Sequence, residues 1–242
     1  MARTVAARGR IISNWDLYDY ERVRAIRISL ELWVNNKYRL FVLRKRHESL
    51  PALEPKWFKS FVGAWRVART IRKGKREAVR QYLDKQFRTK MEQEAGPGTV
   101  DNAIKYLQRR GWTSRKRKDG TASSARSVVA KIGFFFCPDR IVPYDTFAHQ
   151  GLNVLRGSKR AEGEGYIYPE TYTEYLAAFD REFRVYQQLL VQELNRPWAV
   201  ALAKRIGCKG RWLRTRRFQR KTFDQFLVQV GMRVNEGRKN RA

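Results

Sequence analysis

Residues 120–155 read GTASSARSVVAKIGFFFCPDRIVPYDTFAHQGLNVL, and this stretch decides the fold class. Residues 128–136 are apolar on most sides of a helix, which is typical of a helix enclosed by other elements. Thr121 or Ser123 is suited to cap the start of this helix, and Pro138 is suited to end it. Because a buried helix needs several neighbours, the stretch predicts a helical protein with residues 128–136 in its core.

A short link follows Pro138 and leads to Asp145, where a second helix is predicted to begin. Aspartate is a preferred N-cap because its side chain accepts hydrogen bonds from the first backbone N–H groups of a helix. This structural role is sufficient by itself to explain the residue, and it stays open beside any chemical role. Tyr144 is suited either to stack on an extruded base or to fill the core, and His149 lies one turn after Asp145.

The rest of the chain repeats apolar residues at the helical spacing of three to four positions. The pattern predicts long helices over residues 17–46, 75–91 and 171–194. Pro55 and Pro197 stand where helices can start, and the AGPG at residues 95–98 separates two more. No alternating run is long enough for a sheet, so we expect an all-α, bundle-like fold. The tryptophans that lie in apolar patterns are expected in the core: Trp33, Trp57, Trp65 and Trp198.

The polar GSKRAEGEG at residues 157–165 is the best candidate for a boundary between structural regions. We expect one helical region over residues 1–156, which includes the stretch quoted above. A second helical region over residues 166–242 is expected to pack on it, and one continuous domain is the alternative. The final VGMRVNEGRKNRA, residues 230–242, is expected to form a frayed basic tail.

Lysine and arginine number 52 against 23 aspartate and glutamate residues, so the formal net charge is +29. Such an excess destabilises a compact chain by self-repulsion unless a polyanion lies near it. Hydrophobic residues make up 43% of the chain, which excludes a disordered basic tail. The expected partner is nucleic acid, in particular double-stranded DNA. An anionic membrane surface is the alternative, and the spread of charge over several helices argues against it.

Other features define the expected setting of the protein. The first residues lack an apolar run of signal-peptide length, and no stretch is apolar enough to cross a bilayer. Cys137 and Cys208 are the only cysteines, so a four-cysteine metal site is excluded. We expect a soluble, cytoplasmic monomer without metal or cofactor. Free thiols are the simplest interpretation of the two cysteines, and a disulfide between them stays open.

The positive charge concentrates in residues 65–80, 109–118 and 204–221. Aromatic residues lie among the cations in two of these clusters, as in proteins that combine phosphate neutralisation with base stacking. Trp112 follows Gly111 in a basic segment and is the expected contact to a base. A single cluster is better explained as a solvated helix face, but three clusters together favour nucleic acid. The cations expected to bind it are Arg110, Arg115, Lys116, Arg117, Lys118, Arg126, Arg214, Arg216, Arg217 and Arg220.

The segment Pro143-Tyr144-Asp145-Thr146-Phe147-Ala148 resembles a motif of the helix-hairpin-helix DNA glycosylase superfamily, which reads roughly Pro-Val-Asp-Thr-His-Val. In that family a buried helix ends, a proline-containing link follows, and the aspartate begins the next helix. The resemblance implies a helical fold with a basic DNA-binding cleft. It also implies that Asp145 stabilises the positively charged sugar, or helps to activate water, as the base leaves. Electrostatic stabilisation of this kind is often the largest catalytic contribution.

Other family features differ in this chain. Lys118-Asp119-Gly120-Thr121 stands where the family has a hairpin of the Leu-Pro-Gly-Val-Gly type, and the cysteine loop that holds an iron–sulfur cluster in some members is absent. Arg126 and Ser127 occupy the region that holds a nucleophilic lysine in bifunctional members. The resemblance therefore implies a monofunctional enzyme. Lys131, fourteen positions before Asp145, is the second option as a Schiff-base former.

The sequence thus supports hypotheses from different classes. The leading one is a DNA glycosylase that flips a nucleotide into a pocket and hydrolyses the N-glycosidic bond of a damaged or modified base, which leaves an abasic site. By analogy with phage-defence glycosylases, the target would be a hypermodified viral cytosine. The rivals are a non-enzymatic DNA- or RNA-binding protein and a basic subunit that folds only within a larger ribonucleoprotein.

Overall fold

A computed structural model of the protein describes residues 15–34, 52–65, 67–113, 125–157 and 171–239, and the regular structure in these ranges is helical. The helices are α1 (Asp19–Val34), α2 (Pro55–Ala64), α3 (Arg76–Tyr82), α4 (Arg88–Gln93), α5 (Pro97–Arg109), α6 (Arg126–Phe136), α7 (Thr146–Leu155), α8 (Tyr172–Leu194), α9 (Pro197–Arg205) and α10 (Arg216–Lys239). Within the described ranges, strand-like pairing is limited to one isolated antiparallel bridge between Ile71 and Thr113. The predicted all-α class is confirmed.

The helix boundaries follow the punctuation of the sequence. Proline occupies the first turn of α2, α5 and α9, where its missing N–H removes no intrahelical hydrogen bond. Helix α6 ends at Phe136, just before Pro138. A π-helical turn, Leu83–Phe87, joins α3 to α4, so residues 76–93 run as one continuous helix, close to the predicted 75–91.

The expected frayed tail is wrong for most of its length. Helix α10 continues to Lys239, so residues 230–239 are helical. Gly231 lies against the backbone of α7, so the start of the presumed tail is part of the core. Several structural predictions fall outside the described residues, among them the caps at Thr121 and Ser123, the helix beyond residue 34, and nearly all of the loop at 157–165.

The chain forms two compact units whose members are not contiguous in sequence. One, here called the terminal unit, contains the described residues 15–34, 145–157 and 177–239. The other, here called the central unit, contains the described residues from 52 to 144 together with residues 171–176. This division differs from a split at residues 157–165, because α1 belongs with the C-terminal helices and the first turn of α8 belongs with the central unit.

Helix α6 forms the middle of the central unit. All its residues except Ser127 are buried, as predicted from the apolar residues on most sides of positions 128–136. Phe135 contacts an aromatic group formed by Trp57, Phe61 and Trp65, with ring centroids 5.2–5.8 Å apart. Both tryptophans contact this buried ring but are themselves only half-buried, so they do not reach the fully buried core positions that were predicted.

The link after α6 is buried, and a tyrosine satisfies its backbone. The hydroxyl of Tyr172 accepts a hydrogen bond from the Val142 N–H at 3.0 Å and donates one to the Val142 carbonyl at 2.7 Å. Asp101 in turn accepts from the Tyr172 N–H at 2.6 Å. Because buried backbone groups must be paired, these bonds fix the link immediately before Asp145.

The terminal unit is built around direct contact between the backbones of α7 and α10. A Cβ atom added to Gly151 would lie 2.1 Å from the Leu227 carbonyl oxygen, and one added to Gly231 would lie 2.0 Å from the Phe147 carbonyl oxygen. The two glycines face each other's helix one turn apart, which makes the pair antiparallel. Nearby, the Gln150 amide donates to Asn235 at 3.3 Å.

None of the helices in the described ranges combines the length and the apolar character needed to cross a lipid bilayer.

Candidate nucleic-acid interface

Two of the three basic clusters meet in the central unit. The Arg72 N–H donates to the Trp112 carbonyl at 2.9 Å, and the bridge between Ile71 and Thr113 extends this pairing by one residue. The basic segment before α3 therefore lies beside the basic segment that follows α5. About forty residues separate the two segments in the chain, so their meeting is a property of the tertiary structure.

The end of α5 determines where Trp112 lies. Gly111 adopts φ +62°, a left-handed conformation that glycine reaches without steric cost. Its N–H donates to the Gln108 carbonyl at 2.9 Å, and the Trp112 N–H donates to the Leu107 carbonyl at 3.1 Å. This pair of hydrogen bonds is the Schellman arrangement that ends many helices. Both backbone groups of Trp112 are thus bonded, although its side chain is only half-buried.

Exposed cations surround this junction, and together they are called the central basic face. Its members are Arg72, Lys73, Lys75, Arg76, Arg109 and Arg110. Within the described structure, no carboxylate lies within ion-pair distance of any of the six. The nearby acid Glu77 pairs instead with Arg80 at 2.6 Å, and the hydrogen bond from Arg80 lowers the pKa of Glu77. The six charges are therefore available to an external anion.

A column of aromatic rings runs under the central basic face. Tyr82 and Tyr106 stack with centroids 4.2 Å apart and planes 8° from parallel, and Trp112 contacts Tyr106 edge to face at 6.0 Å. The guanidinium of Arg110 lies over the Tyr106 ring, 5.4 Å from its centroid. Burial raises the pKa of Tyr82 to about 12, so its hydroxyl stays protonated at neutral pH and brings no negative charge.

A second group of exposed cations lies in the terminal unit and is called the terminal basic face. Its members are Lys204, Arg205, Lys209, Arg211, Arg214 and Arg216. Helix α9 ends with the same pair of hydrogen bonds as α5, from Gly207 to Lys204 at 3.1 Å and from Cys208 to Ala203 at 2.8 Å. Arg211 lies over the half-buried ring of Trp212 at 5.5 Å. Cations and an aromatic ring again occur together.

Three cations of the same sequence cluster are less accessible. Arg220 is 3% exposed, bonds Asp180 and lies over the Phe179 ring. Lys221 is also buried and pairs with Asp224 at 2.5 Å, and Arg217 is half-buried. Four cations of the cluster at residues 204–221 were predicted to bind nucleic acid, and of these Arg214 and Arg216 are exposed whereas Arg217 and Arg220 are not.

Asp145 caps α7, as predicted. Its side chain accepts a hydrogen bond from the Phe147 N–H at 2.9 Å, and the side chain is half-exposed. His149 is buried in the terminal unit, with its ring Nε2 3.3 Å from the Asn153 amide. The carboxylate thus reaches the surface, whereas the predicted histidine partner lies in the interior.

Three other predicted site residues lie inside the central unit. Tyr144 is 4% exposed and is enclosed by the Tyr175 ring and the Arg126 guanidinium, at 4.8 and 5.1 Å. Lys131 is 6% exposed, donates to the Trp65 carbonyl at 3.3 Å, and lies over the Trp65 ring at 5.7 Å. These residues serve as packing elements of the central unit.

Some predicted residues fall outside the described ranges, namely Arg115, Lys116, Arg117 and Lys118. Conversely, Tyr106 lies in the aromatic column under the central basic face and was not predicted from the sequence. A signal for it exists, because Tyr106 and Arg110 are four residues apart and therefore neighbours on a helix surface. The burial of Lys221 also had a local signal, since Asp224 follows it at three residues.

No cluster of three or more histidine, cysteine, aspartate or glutamate residues suited to a metal ion occurs among the described residues. Cys137 and Cys208 are not joined in a disulfide, and burial raises the pKa of the Cys208 thiol. The predicted free thiols are confirmed.

No protein family, curated protein or solved structure gives a significant match to this chain.

Proposed function

We propose that this protein binds nucleic acid by contacting the sugar–phosphate backbone with the central basic face and the terminal basic face. The observation that carries the proposal is the junction at Arg72 and Trp112, where two basic segments distant in sequence lie side by side. Six exposed cations surround that junction, and within the described ranges of the chain none of them forms an ion pair with a carboxylate. Like charges brought together in this way repel one another, and a bound polyanion removes the repulsion.

Phosphate is the ligand that matches these side chains. Arginine predominates in both faces, and its planar guanidinium binds phosphate oxygens with two parallel hydrogen bonds. Each neutralised phosphate releases condensed counterions, so affinity depends steeply on salt. Two acids of α3 and the turn after it, Glu77 and Asp84, do not compete, because they are engaged with Arg80 and Arg88.

The central basic face is tested by removing three of its charges. Arg72→Gln, Arg76→Gln and Arg109→Gln in one variant are expected to weaken binding to a labelled oligonucleotide at least about tenfold near physiological salt. The slope of log K against log salt is expected to fall by about 0.9 for each lost phosphate contact on a duplex, or about 0.7 on a single strand. Fluorescence anisotropy at several salt concentrations measures both quantities.

The matched control removes three exposed lysines of the same unit that lie outside the face, Lys56, Lys59 and Lys90. Lys→Gln at these positions causes the same loss of net charge and is expected to leave the salt slope unchanged. Equal losses in both variants would contradict a defined interface and indicate diffuse attraction.

A second candidate activity is hydrolysis of an N-glycosidic bond, for which Asp145 is the proposed catalytic carboxylate. It is supported by the half-exposed position of Asp145 at the start of α7, after a buried helix and a proline-containing link. In this reaction water adds to the sugar C1′, the base leaves and takes up a proton, and an abasic site remains. A negative carboxylate stabilises the positively charged sugar as the bond breaks. The proposed substrate is a damaged or modified base, such as a hypermodified phage cytosine.

Asp145→Asn separates this chemistry from the capping role. Asparagine caps helices about as well as aspartate, so the variant is expected to keep its stability and its DNA affinity. Alkali-labile sites would be counted on genomic DNAs that include modified phage DNA. Loss of about a hundredfold or more in their rate of formation is expected, as for removal of an electrostatic catalytic group. If wild type and variant bind DNA equally and neither forms abasic sites, Asp145 is a helix cap only.

A further inference from the structure

Trp112 occupies an unusual position for a large aromatic residue. Its indole is half-buried. The backbone N–H of Trp112 donates to the Leu107 carbonyl, and the backbone carbonyl of Trp112 accepts from the Arg72 N–H. The main chain is therefore held from both sides while part of the side chain faces solvent. Presenting a ring from a fixed backbone lowers the entropy lost when a ligand binds it.

The surroundings of this ring favour one class of ligand. Exposed arginines flank it in sequence and in space, at Arg72 and Arg110, and they suit the phosphates on either side of a base. The ring rests on Tyr106 at 6.0 Å, and Tyr106 is backed by the buried Tyr82 at 4.2 Å. An aromatic surface with cations at its rim is the usual design of sites that bind single strands.

We infer that Trp112, supported by Tyr106 and flanked by Arg110, forms a stacking site for an unpaired base, so that the central basic face prefers single-stranded or locally opened nucleic acid to an intact duplex. This inference rests on the proposed function and names its substrate class. The bases of a duplex already have their faces stacked on each other and present only their edges. The indole can gain stacking energy only from a base that is unpaired.

Arg110 has a specific part in the site. Its guanidinium lies over Tyr106 at 5.4 Å, and its Nε donates to the Tyr106 hydroxyl at 3.3 Å. Guanidinium planes stack on bases as well as on tyrosine rings. A base that stacks on Trp112 therefore has the Arg110 plane and its positive charge beside it, close to the phosphate that follows.

The test combines changes in the protein with changes in the ligand. Trp112→Leu removes the aromatic face and keeps apolar bulk, and Trp112→Phe keeps a ring. The ligands are labelled oligothymidine of about 20 nucleotides, which covers at least one binding site of this kind, the same strand with abasic analogues in place of its bases, and a blunt duplex. Circular dichroism verifies that each variant is folded.

Three results are expected. Trp112→Leu weakens binding of oligothymidine about 5- to 100-fold, as expected for the loss of base stacking. The same variant leaves affinity for the abasic strand and for the duplex unchanged. Trp112→Phe stays much closer to wild type on oligothymidine, because a smaller ring still stacks.

Other outcomes overturn the inference and distinguish it from the proposed function. If Trp112→Leu weakens oligothymidine and the abasic strand equally, or weakens neither, the ring does not stack on a base. Salt-dependent binding by the wild type would then still support the basic faces as the interface. If the wild type shows no salt-dependent binding to any of the three ligands, the proposed function fails and the inference fails with it.

Discussion

Gly151→Ala is expected to destabilise the terminal unit by about 3 kcal/mol or more, at or above the upper end of the usual range for overpacking in a core. The new Cβ would lie 2.1 Å from the Leu227 carbonyl oxygen and 2.8 Å from its carbonyl carbon. A backbone atom cannot rotate away as a flexible side chain does, so α7 and α10 would have to move apart. Gly231→Ala is expected to have the same effect through the Phe147 carbonyl, at 2.0 Å.

A control for this prediction lies in the same helix. A Cβ on Gly237, also in α10, meets no atom within 4 Å, so Gly237→Ala is expected to stabilise the protein by up to about 1 kcal/mol through helix propensity. Urea denaturation of the three variants gives the comparison. Because Gly151 and Gly231 share one interface, their double variant is expected to cost less than the sum of the single ones. A loss below about 1 kcal/mol in both single variants would show that the backbones are not in direct contact.

Glu193→Leu is expected to cost about 3 kcal/mol, because it leaves a buried arginine without its buried partner. The Arg22 Nε lies 3.2 Å from the Glu193 carboxylate, and the two side chains are 5% and 3% exposed. Arg22 keeps its bond to the Trp15 carbonyl at 2.9 Å and its pair with the exposed Asp19. These remaining partners limit the loss but do not replace a carboxylate in the interior.

The double variant Arg22→Met with Glu193→Leu separates the charge effect from a packing effect. With both charges removed, most of the lost stability is expected to return, because an apolar pair of similar volume replaces a buried ion pair at little cost. Glu31→Gln provides the surface control, since the pair of Glu31 and Arg27 is 54% and 66% exposed and is expected to contribute no more than about 0.5 kcal/mol. Thermal unfolding measures all of these variants. No recovery in the double variant would mean that shape, and not charge, is what Glu193 contributes.

The positions of the basic segments have a consequence for the whole interface. Trp112 is held in the central basic face by the hydrogen bond from Arg72 and by the helix end at Gly111. In the proposed interface, phosphate contacts and base contacts would depend on the same few backbone bonds. Phosphate contacts orient a nucleic acid on a protein and base contacts select it, and we propose that this junction supplies both from a short stretch of surface.

Local chemistry allowed several features to be predicted from the sequence. Pro55 and Pro197 mark helix starts because proline fixes the backbone angle of a first turn, and both do so here. Asp145 caps α7 because its carboxylate reaches the N–H two residues ahead. Residues 128–136 are apolar on most sides, which required burial of α6 in whatever fold formed.

Tertiary structure alone decided the rest. Lysine and arginine have the same charge in sequence whether exposed or buried, and only packing next to Asp180 places Arg220 inside while Arg216 stays outside. The local sequence around Gly231 is compatible with a frayed tail and with a packed helix. Only the tertiary structure, in which the backbone of α7 lies against Gly231, distinguishes the two. The hydrogen bond between Arg72 and Trp112 is likewise a result of tertiary structure. The sequence by itself determined that this protein carries a large positive charge over a helical core. The fold determined which basic segments lie together, because the contact between Arg72 and Trp112 spans forty residues and depends on long-range packing that a local pattern does not encode.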